Sequence, residues 1–353
     1  MTGTARQRVL LLFGGRSAEH DVSRVTAVAV ARALDRERYE VVPVAITTDG
    51  RWLLADSAQR ALAGGRAALP GAFAVDGEVA PALGALDVDV VVPLLHGPYG
   101  EDGTVQGLLE LAGLPYVGSG VIGSAVAMDK IMMKRAFAAA GLPYARTVEF
   151  RDGHDGAALA DAVRTQLGYP CFVKPANLGS SVGVSKVHDA AELAVACDLA
   201  LGYDEWIVIE EAIVGREIEL GVLGDDPPMV SVPGEIVPGA EFYSYADKYE
   251  ADDAELLVPA PLTDEQVTTA QELACRAFEA CRCEAMARVD LFLTEDGTFL
   301  VNEVNTIPGF TPISMYPRLW AATGVVYAEL LDRLIELALA RHARRAARAG
   351  RQR

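Results

Sequence analysis

The chain has 353 residues, 51% of them hydrophobic, and a formal net charge of -18. That length exceeds one ordinary core and suits two or three domains of a single soluble enzyme. The negative balance repels phosphate backbones and argues against nucleic-acid partners, and Asp89 interrupts even the apolar stretch Val88 to Leu95, so no membrane span is expected.

Met1 to Arg8 lacks the apolar centre of an export signal. The five cysteines, Cys171, Cys197, Cys275, Cys281 and Cys283, are odd in number and scattered, with one residue between the last two where zinc pairs usually have two or more. They read as reduced thiols, and a cytoplasmic location is expected.

In chain order, Val9 to Phe13 predicts a strand, Val22 to Leu34 a helix, and Val41 to Ile46 and Val88 to Leu94 further strands, the alternation of a parallel sheet with crossover helices. Gly14-Gly15 lacks the spaced third glycine of a dinucleotide fingerprint. Glu19 and His20 read as residues near a helix start, either capping it or, for the carboxylate, gripping an ammonium group. Leu54 to Leu86 reads as a variable connection, and His96 follows a buried-looking strand at the edge where ligands gather.

A helix from Thr104 to Leu111 stops at Gly113, and an extended segment closes a first domain, 1–120. A second unit, 121–214, is expected to hold a helix capped by Ser124 and running through Ala140, a strand around Thr147, a helix from Ala158 to Leu167, the strand Cys171 to Lys174, and then strand, helix and strand ending at Trp206 to Glu210. A third, 215–345, is expected to hold strands Ile218 to Leu223 and Met229 to Ile236, a helix Asp264 to Cys281, strands Ala287 to Leu293 and Thr298 to Val304, and an apolar-striped helix Val325 to Ala343. The arginines from Arg341 to Arg353, with 346–353 as a basic tail, read as a solvated, fraying helix end.

Asp296-Gly297 between two alternating apolar runs is a strong hairpin signal. With those two residues as the turn centre, Asp290 faces Glu303 and Arg288 faces Asn305, all on one side of the ladder. Facing carboxylates repel unless protonated or bridged by a cation, and the Asn305 amide adds a hard ligand, the pattern of a Mg²⁺ site holding nucleotide phosphates. The same residues also suit the solvated acidic face of an edge hairpin, and a three-residue loop would shift the register. In Lys174-Pro175-Ala-Asn-Leu-Gly179-Ser180-Ser181-Val-Gly183, a glycine and serine loop suited to phosphate follows an apolar strand; loop composition alone favours a flexible hairpin, and it is Lys174 at the strand end that points to phosphate. Lys130 starts a helix, and Lys248 sits in an aromatic and polar loop of the kind that closes over sites.

In order along the chain, Gly14-Gly15-Arg-Ser-Ala-Glu19-His-Asp-Val22-Ser, His96-Gly-Pro-Tyr-Gly-Glu-Asp-Gly, Gly118-Ser-Gly, Met128-Asp-Lys130, Val173-Lys174-Pro, Gly179-Ser-Ser-Val-Gly183, Ala287-Arg288-Val-Asp290 and Asn302-Glu303-Val-Asn305-Thr-Ile-Pro-Gly309-Phe-Thr resemble the D-alanine–D-alanine ligase family of the ATP-grasp superfamily. The resemblance implies an α/β and α+β, three-domain ATP-grasp fold with an N-terminal Rossmann-like parallel-sheet domain. It also implies a homodimer that uses ATP and two Mg²⁺ (or Mn²⁺) to join two D-alanines through a D-alanyl phosphate, for peptidoglycan precursors.

By that resemblance Lys130, Lys174, Ser181 and Lys248 meet ATP, with Glu210, Glu211 and Ile213 at the adenine and Glu217 at the ribose, while Asp290, Glu303 and Asn305 hold the metals. Glu19 takes the first D-alanine's amino group, with Val22, His96 and Ser180 around it. Arg288, Gly309, Ser314 and Met315 receive the second substrate and the oxyanion. Tyr249, beside Lys248, resembles dipeptide-forming members rather than those making D-alanyl-D-lactate; a D-alanyl-D-serine former is the other alternative.

Overall fold

The computed structural model describes residues 6–53, 86–237 and 255–349. It is a mixed α/β structure with three sheets. The first comprises β1 (Gln7–Gly14), β2 (Tyr39–Ile46), β3 (Trp52–Leu53) and β4 (Val90–Pro93), with α1 (His20–Ala33) between the first two strands. The central β1 pairs in parallel with β2 and β4, as expected, and β3 adds an antiparallel edge to β2. Val9 to Phe13 are wholly buried because both faces of β1 are covered. Ala27, Val30 and Ala31 of α1 lie in the core with Val9, Leu11 and Phe13, and Val105 and Leu109 of α2 (Thr104–Leu111) lie with Leu10 and Leu12.

The single helix expected up to Ala140 is two, α3 (Val121–Met128) and α4 (Lys130–Ala139). Ser124 is not a cap: it is buried inside α3, whose N-cap is Gly120. The break falls at Asp129, where an extended ψ of 108° lets the carboxylate accept the Met132 N–H at 2.9 Å and cap α4. Lys130 thereby becomes the first residue of a helix.

The second sheet is antiparallel, in the order β5-β8-β6-β7, from β5 (Thr147–Arg151), β6 (Cys171–Pro175), β7 (Ser185–Val187) and β8 (Trp206–Glu211). Asp155 and Asp189 cap its helices α5 (Gly156–Gln166) and α6 (Ala190–Leu201).

The third sheet runs β12-β11-β9-β13-β14, with β10 also on β9: β9 (Gly215–Leu223), β10 (Met229–Val230), β11 (Gly234–Val237), β12 (Glu255–Leu257), β13 (Met286–Thr294) and β14 (Phe299–Asn305). The strand expected over Met229 to Ile236 is divided into β10 and β11. Pro233 has no N–H for a ladder, and the Ser231 hydroxyl accepts the Gly221 N–H at 2.8 Å. α7 (Asp264–Ala280), opened by a Thr263/Gln266 capping box, covers one face. Ile218, Leu220, Val289 and Leu291 point into that core with Ala274 and Phe278. Strand alternation therefore turns Glu217, Glu219, Arg288 and Asp290 to the opposite face.

The β13–β14 hairpin has the expected pairs, Arg288 with Asn305 and Asp290 with Glu303, but its loop differs. Near the turn Leu293 faces Phe299, and Thr294 N–H donates to the Thr298 carbonyl at 3.0 Å, leaving a three-residue loop with Gly297 at φ 86°. That loop shifts the register by one residue, and a bulge at Asn302 shifts it back.

After α8 (Met315–Ala322) the last helix, α9 (Tyr327–Ala349), returns to the first sheet. Leu330, Leu331, Leu334 and Ile335 share one core with Val9, Phe13 and Val92. The basic end departs from the expected fraying: the helix continues to Ala349, and Arg341 is buried. Its guanidinium donates to the Tyr116 carbonyl at 2.6 Å and to that of Gly118, lies 3.3 Å from Glu284, and stacks 4.6 Å from the Tyr116 ring centroid. Arg344 pairs with Asp225, and Arg345 with Glu110 and, at 2.9 Å, with Glu284. These carboxylates lie far from the arginines in sequence, so helical periodicity alone does not reveal the contacts.

Candidate active site

One cleft of about 1520 Å³ is lined by the second and third sheets and, from the first unit, by α1 and the segments after β1 and β4. Every residue that the family resemblance assigns to the site lines it except Lys248 and Tyr249, which lie outside the described residues.

At its basic end, Lys174 leaves β6 and Lys130 opens α4. Lys130 donates to the Leu178 carbonyl, which ties it to the loop before β7. Glu210, at the end of β8, is buried between Lys174 and Lys134, the latter at 2.6 Å. Burial opposes the Glu210 charge, but the two ammonium groups outweigh it and hold the carboxyl well below its usual range. Burial pushes Lys130 down, with Lys174 adding to the effect and Glu303 offsetting it. In Lys174, burial is outweighed by Glu210, so its pKa rises.

Lys134 escaped the sequence reading. Its position four residues after Lys130, on the same helix face, was the available signal. Its ammonium also donates to the Asn302 carbonyl at 2.9 Å, fastening α4 to the bulge. The Glu211 carboxylate accepts from the Arg146 backbone and guanidinium, both at 2.7 Å. Glu210, Glu211 and Ile213 follow one another along the cleft wall at the end of β8. Glu217 lines the cleft one strand further on, on β9.

In the middle, the third sheet presents Arg288, Asp290, Glu303, Asn305 and the unforeseen Glu219. Arg288 makes a two-pronged contact with Asp290, both bonds 2.7 Å, and approaches Glu219 to 3.1 Å. Burial opposes its charge but Asp290 and Glu219 overcome it, so its pKa lies well above the ordinary value. The Asn305 amide donates to Asp290 at 3.0 Å and to Glu303 at 3.4 Å. Glu219 faces Asp290 across the β9–β13 ladder, a pairing visible only once the third strand is in register.

Among the described residues no three His, Cys, Asp or Glu side chains form a metal cage. Asp290, Glu303 and the Asn305 amide oxygen nevertheless fit a hard divalent cation that keeps positions for phosphate and water. Rotation of that amide by 180° would present its oxygen in place of the nitrogen.

At the far end, Glu19 is buried at the start of α1 and does not cap it. Its carboxylate instead accepts the Ser180 hydroxyl. Ser180 and Ser181 sit at φ 51° and 58°, left-handed conformations uncommon for residues other than glycine. The loop read as a phosphate cradle thus reaches the first sheet, with Ser180 turned to Glu19. Gly97 sits at φ 72°, a left-handed conformation that favours glycine, and packs directly on the Glu19 carboxylate. The His96 Nδ1–H donates to the Ile307 carbonyl at 3.0 Å, and burial pushes the imidazole pKa down. Val22 completes this corner. Nearby, Gly309 and Met315 line the cleft, and Ser314 bonds the Thr311 hydroxyl at 2.8 Å rather than capping α8.

Fold and cleft place the chain among multi-sheet α/β proteins that gather small charged ligands where their sheets meet, with cations at one end, carboxylates in the centre and a shielded acid at the other. Within that class the chain belongs to the D-alanine–D-alanine ligase family. The family model for the D-ala D-ala ligase N-terminus matches residues 8–119, and that for the C-terminus matches residues 136–336. A D-alanine–D-alanine ligase of Geobacillus thermodenitrificans is 50% identical, covering 96% of each chain. One from Streptomyces griseus is 49% identical over 95% of this chain and 93% of that one. Among solved structures, the D-alanine–D-alanine ligase of Coxiella burnetii is 35% identical with a TM-score of 0.82, covering 98% of this chain and 97% of that one. The VanG D-Ala:D-Ser ligase of Enterococcus faecalis is 34% identical with a TM-score of 0.83, covering 95% and 100%.

Proposed function

We propose that this chain is an ATP-dependent ligase joining two D-alanines into D-alanyl-D-alanine for peptidoglycan precursors, through a three-domain ATP-grasp arrangement divided as 1–120, 121–214 and 215–345. The observation that carries the reading is the convergence, in one cleft, of Lys130 and Lys174, the opposed Asp290 and Glu303, and the Glu19–Ser180 pair beside Arg288.

An ionised carboxylate resists attack by an amine, so the γ-phosphoryl group of ATP first passes to the carboxylate of D-alanine, giving D-alanyl phosphate and ADP. Lys130 and Lys174 hold the phosphates, with Ser181 and Lys248 also assigned to ATP, Glu210, Glu211 and Ile213 meet adenine, and Glu217 meets the ribose. Mg²⁺ or Mn²⁺ ions held by Asp290, Glu303 and Asn305 would neutralise charge on the transferring group. Glu19 binds the first ammonium, oriented by Ser180, with Val22 and His96 enclosing it. The neutral amine of the second D-alanine then attacks the acyl carbon. Arg288 stabilises the oxyanion, phosphate leaves, and the amine loses a proton. Gly309, Ser314 and Met315 bound the second site, and by the family resemblance Lys248 and Tyr249 belong to a closing loop.

We further infer a cytoplasmic homodimer. No described helix is long and apolar enough to cross a membrane, and Leu111, Val121 and Ile122 expose apolar surface on α2 and α3. The likeness to a D-Ala:D-Ser ligase favours a second reading in which D-serine is the nucleophile. Product analysis with ATP and D-alanine, alone or with D-serine or D-lactate, separates them. The proposal expects D-alanyl-D-alanine as the main product with ADP released in equal amount, and a dominant mixed product would overturn it.

A further inference from the structure

Glu101 has no role in the chemistry above, yet it joins two chain segments at the Glu19 end of the cleft. It lies on the turn after β4, where Gly97 donates its N–H to Oε2 at 2.6 Å. Its other oxygen accepts the N–H of Ile307, 206 residues away, at 3.1 Å. The Ile307 carbonyl is held in turn by His96 at 3.0 Å. Both main-chain polar groups of one residue after β14 are therefore gripped by neighbours of the first-substrate pocket. Ser17 completes the connection, donating to the His96 carbonyl at 2.6 Å and accepting the Glu19 N–H at 3.2 Å.

Ile307 precedes Pro308 and Gly309, the segment that bounds the second-substrate site. A carboxylate suits the task because it accepts through two oxygens and has no donor when ionised, whereas glutamine offers one oxygen and turns an N–H₂ toward an N–H. Burial and the neighbouring Glu19 push the Glu101 pKa up to about 8. The two backbone N–H groups and Arg288 oppose that rise, and the acceptor-only carboxylate is the form present above that pH, where the variants below are compared.

We propose that Glu101 is a positioning residue that locks the Ile307–Gly309 segment against the Glu19–His96 pocket and so sets how the second amine approaches the acyl group of the first amino acid. This inference rests on the ligase reading above and deepens it. Near-attack placement governs such a step, and a loosened acceptor site leaves the acyl phosphate open to water. Hydrolysis would return D-alanine and phosphate while ADP has already been released.

The experiment measures ADP and dipeptide together in the wild type, in Glu101→Gln and in Glu101→Asp, varying D-alanine to separate its two sites. Wild-type dipeptide formation in that assay verifies the ligase reading independently. The expected result is a rise of about tenfold in the KM of the second D-alanine in Glu101→Gln, with the first site and ATP little changed, and more than one ADP per dipeptide. Glu101→Asp keeps the charge but shortens the reach, and should uncouple in the same direction, which keeps the test open should Glu101→Gln fold poorly. Unchanged second-site KM with one ADP per dipeptide, or a uniform fall in all parameters, would overturn the proposal.

Discussion

Two arginine and carboxylate networks bind distant parts of this chain, and their charge balance differs. At the joint between α9 and the first sheet, Arg341 and Arg345 meet Glu284 and Glu110, cation for anion, and Arg341 spends its remaining donors on backbone carbonyls. In the cleft, Arg288 stands among Asp290, Glu219 and Glu303. Carboxylates outnumber that guanidinium on one sheet face, and Lys130 and Lys174 of the basic end supply part of the balancing charge to Glu303. Neutrality marks the joint as architecture, while the acidic sheet face of the cleft is where we propose that metal binds.

Variants can break that contrast. Glu303→Gln removes one anion of the surplus with little change in volume, so turnover should fall by about a thousandfold or more while the thermal transition stays put; ADP release and circular dichroism report the two. Glu210→Gln tests the basic end, where Lys134 and Lys174 would lose their shared counter-ion inside the protein, at about 3 kcal/mol of stability. Because the folded Glu210 pKa is depressed below its ordinary 4.5, its contribution is complete above that pH and is lost as pH falls toward the folded value. Denaturation midpoints of variant and wild type should therefore converge in acid.

Arg341→Met keeps the stem and removes the buried charge. It should lower stability by about 2 kcal/mol, through stranded carbonyls, yet leave activity per folded molecule near normal. Arg345→Ala, at a half-exposed pair, should change stability by less than about 1 kcal/mol, and high salt should erase the difference.

The sequence disclosed features set by local pattern and hid those set by distant partners. The buried strand β1 was plain from an unbroken apolar run, and the facing of Asp290 and Glu303 from hairpin alternation. That facing survives because the three-residue loop, named as the alternative that would shift the register, is cancelled by a bulge at Asn302 that the sequence does not show. Asp129 breaks a helix that periodicity would continue, since its carboxylate favours a cap over a helical interior. Glu101, Lys134 and Glu219 were missed for one reason: each is a charged side chain whose meaning lies in a partner that only the folded chain supplies. Arg341 belongs with them, a buried cation that sequence presents as part of a frayed tail.

The most direct test of the acidic surplus is calorimetric titration of Mg²⁺ into the wild type and Glu303→Gln, each saturated with a non-hydrolysable ATP analogue and compared with the analogue alone. The account predicts protein-dependent Mg²⁺ binding in the wild type that is lost or weakened by about a hundredfold in the variant. Equal Mg²⁺ affinity in the two proteins would contradict it.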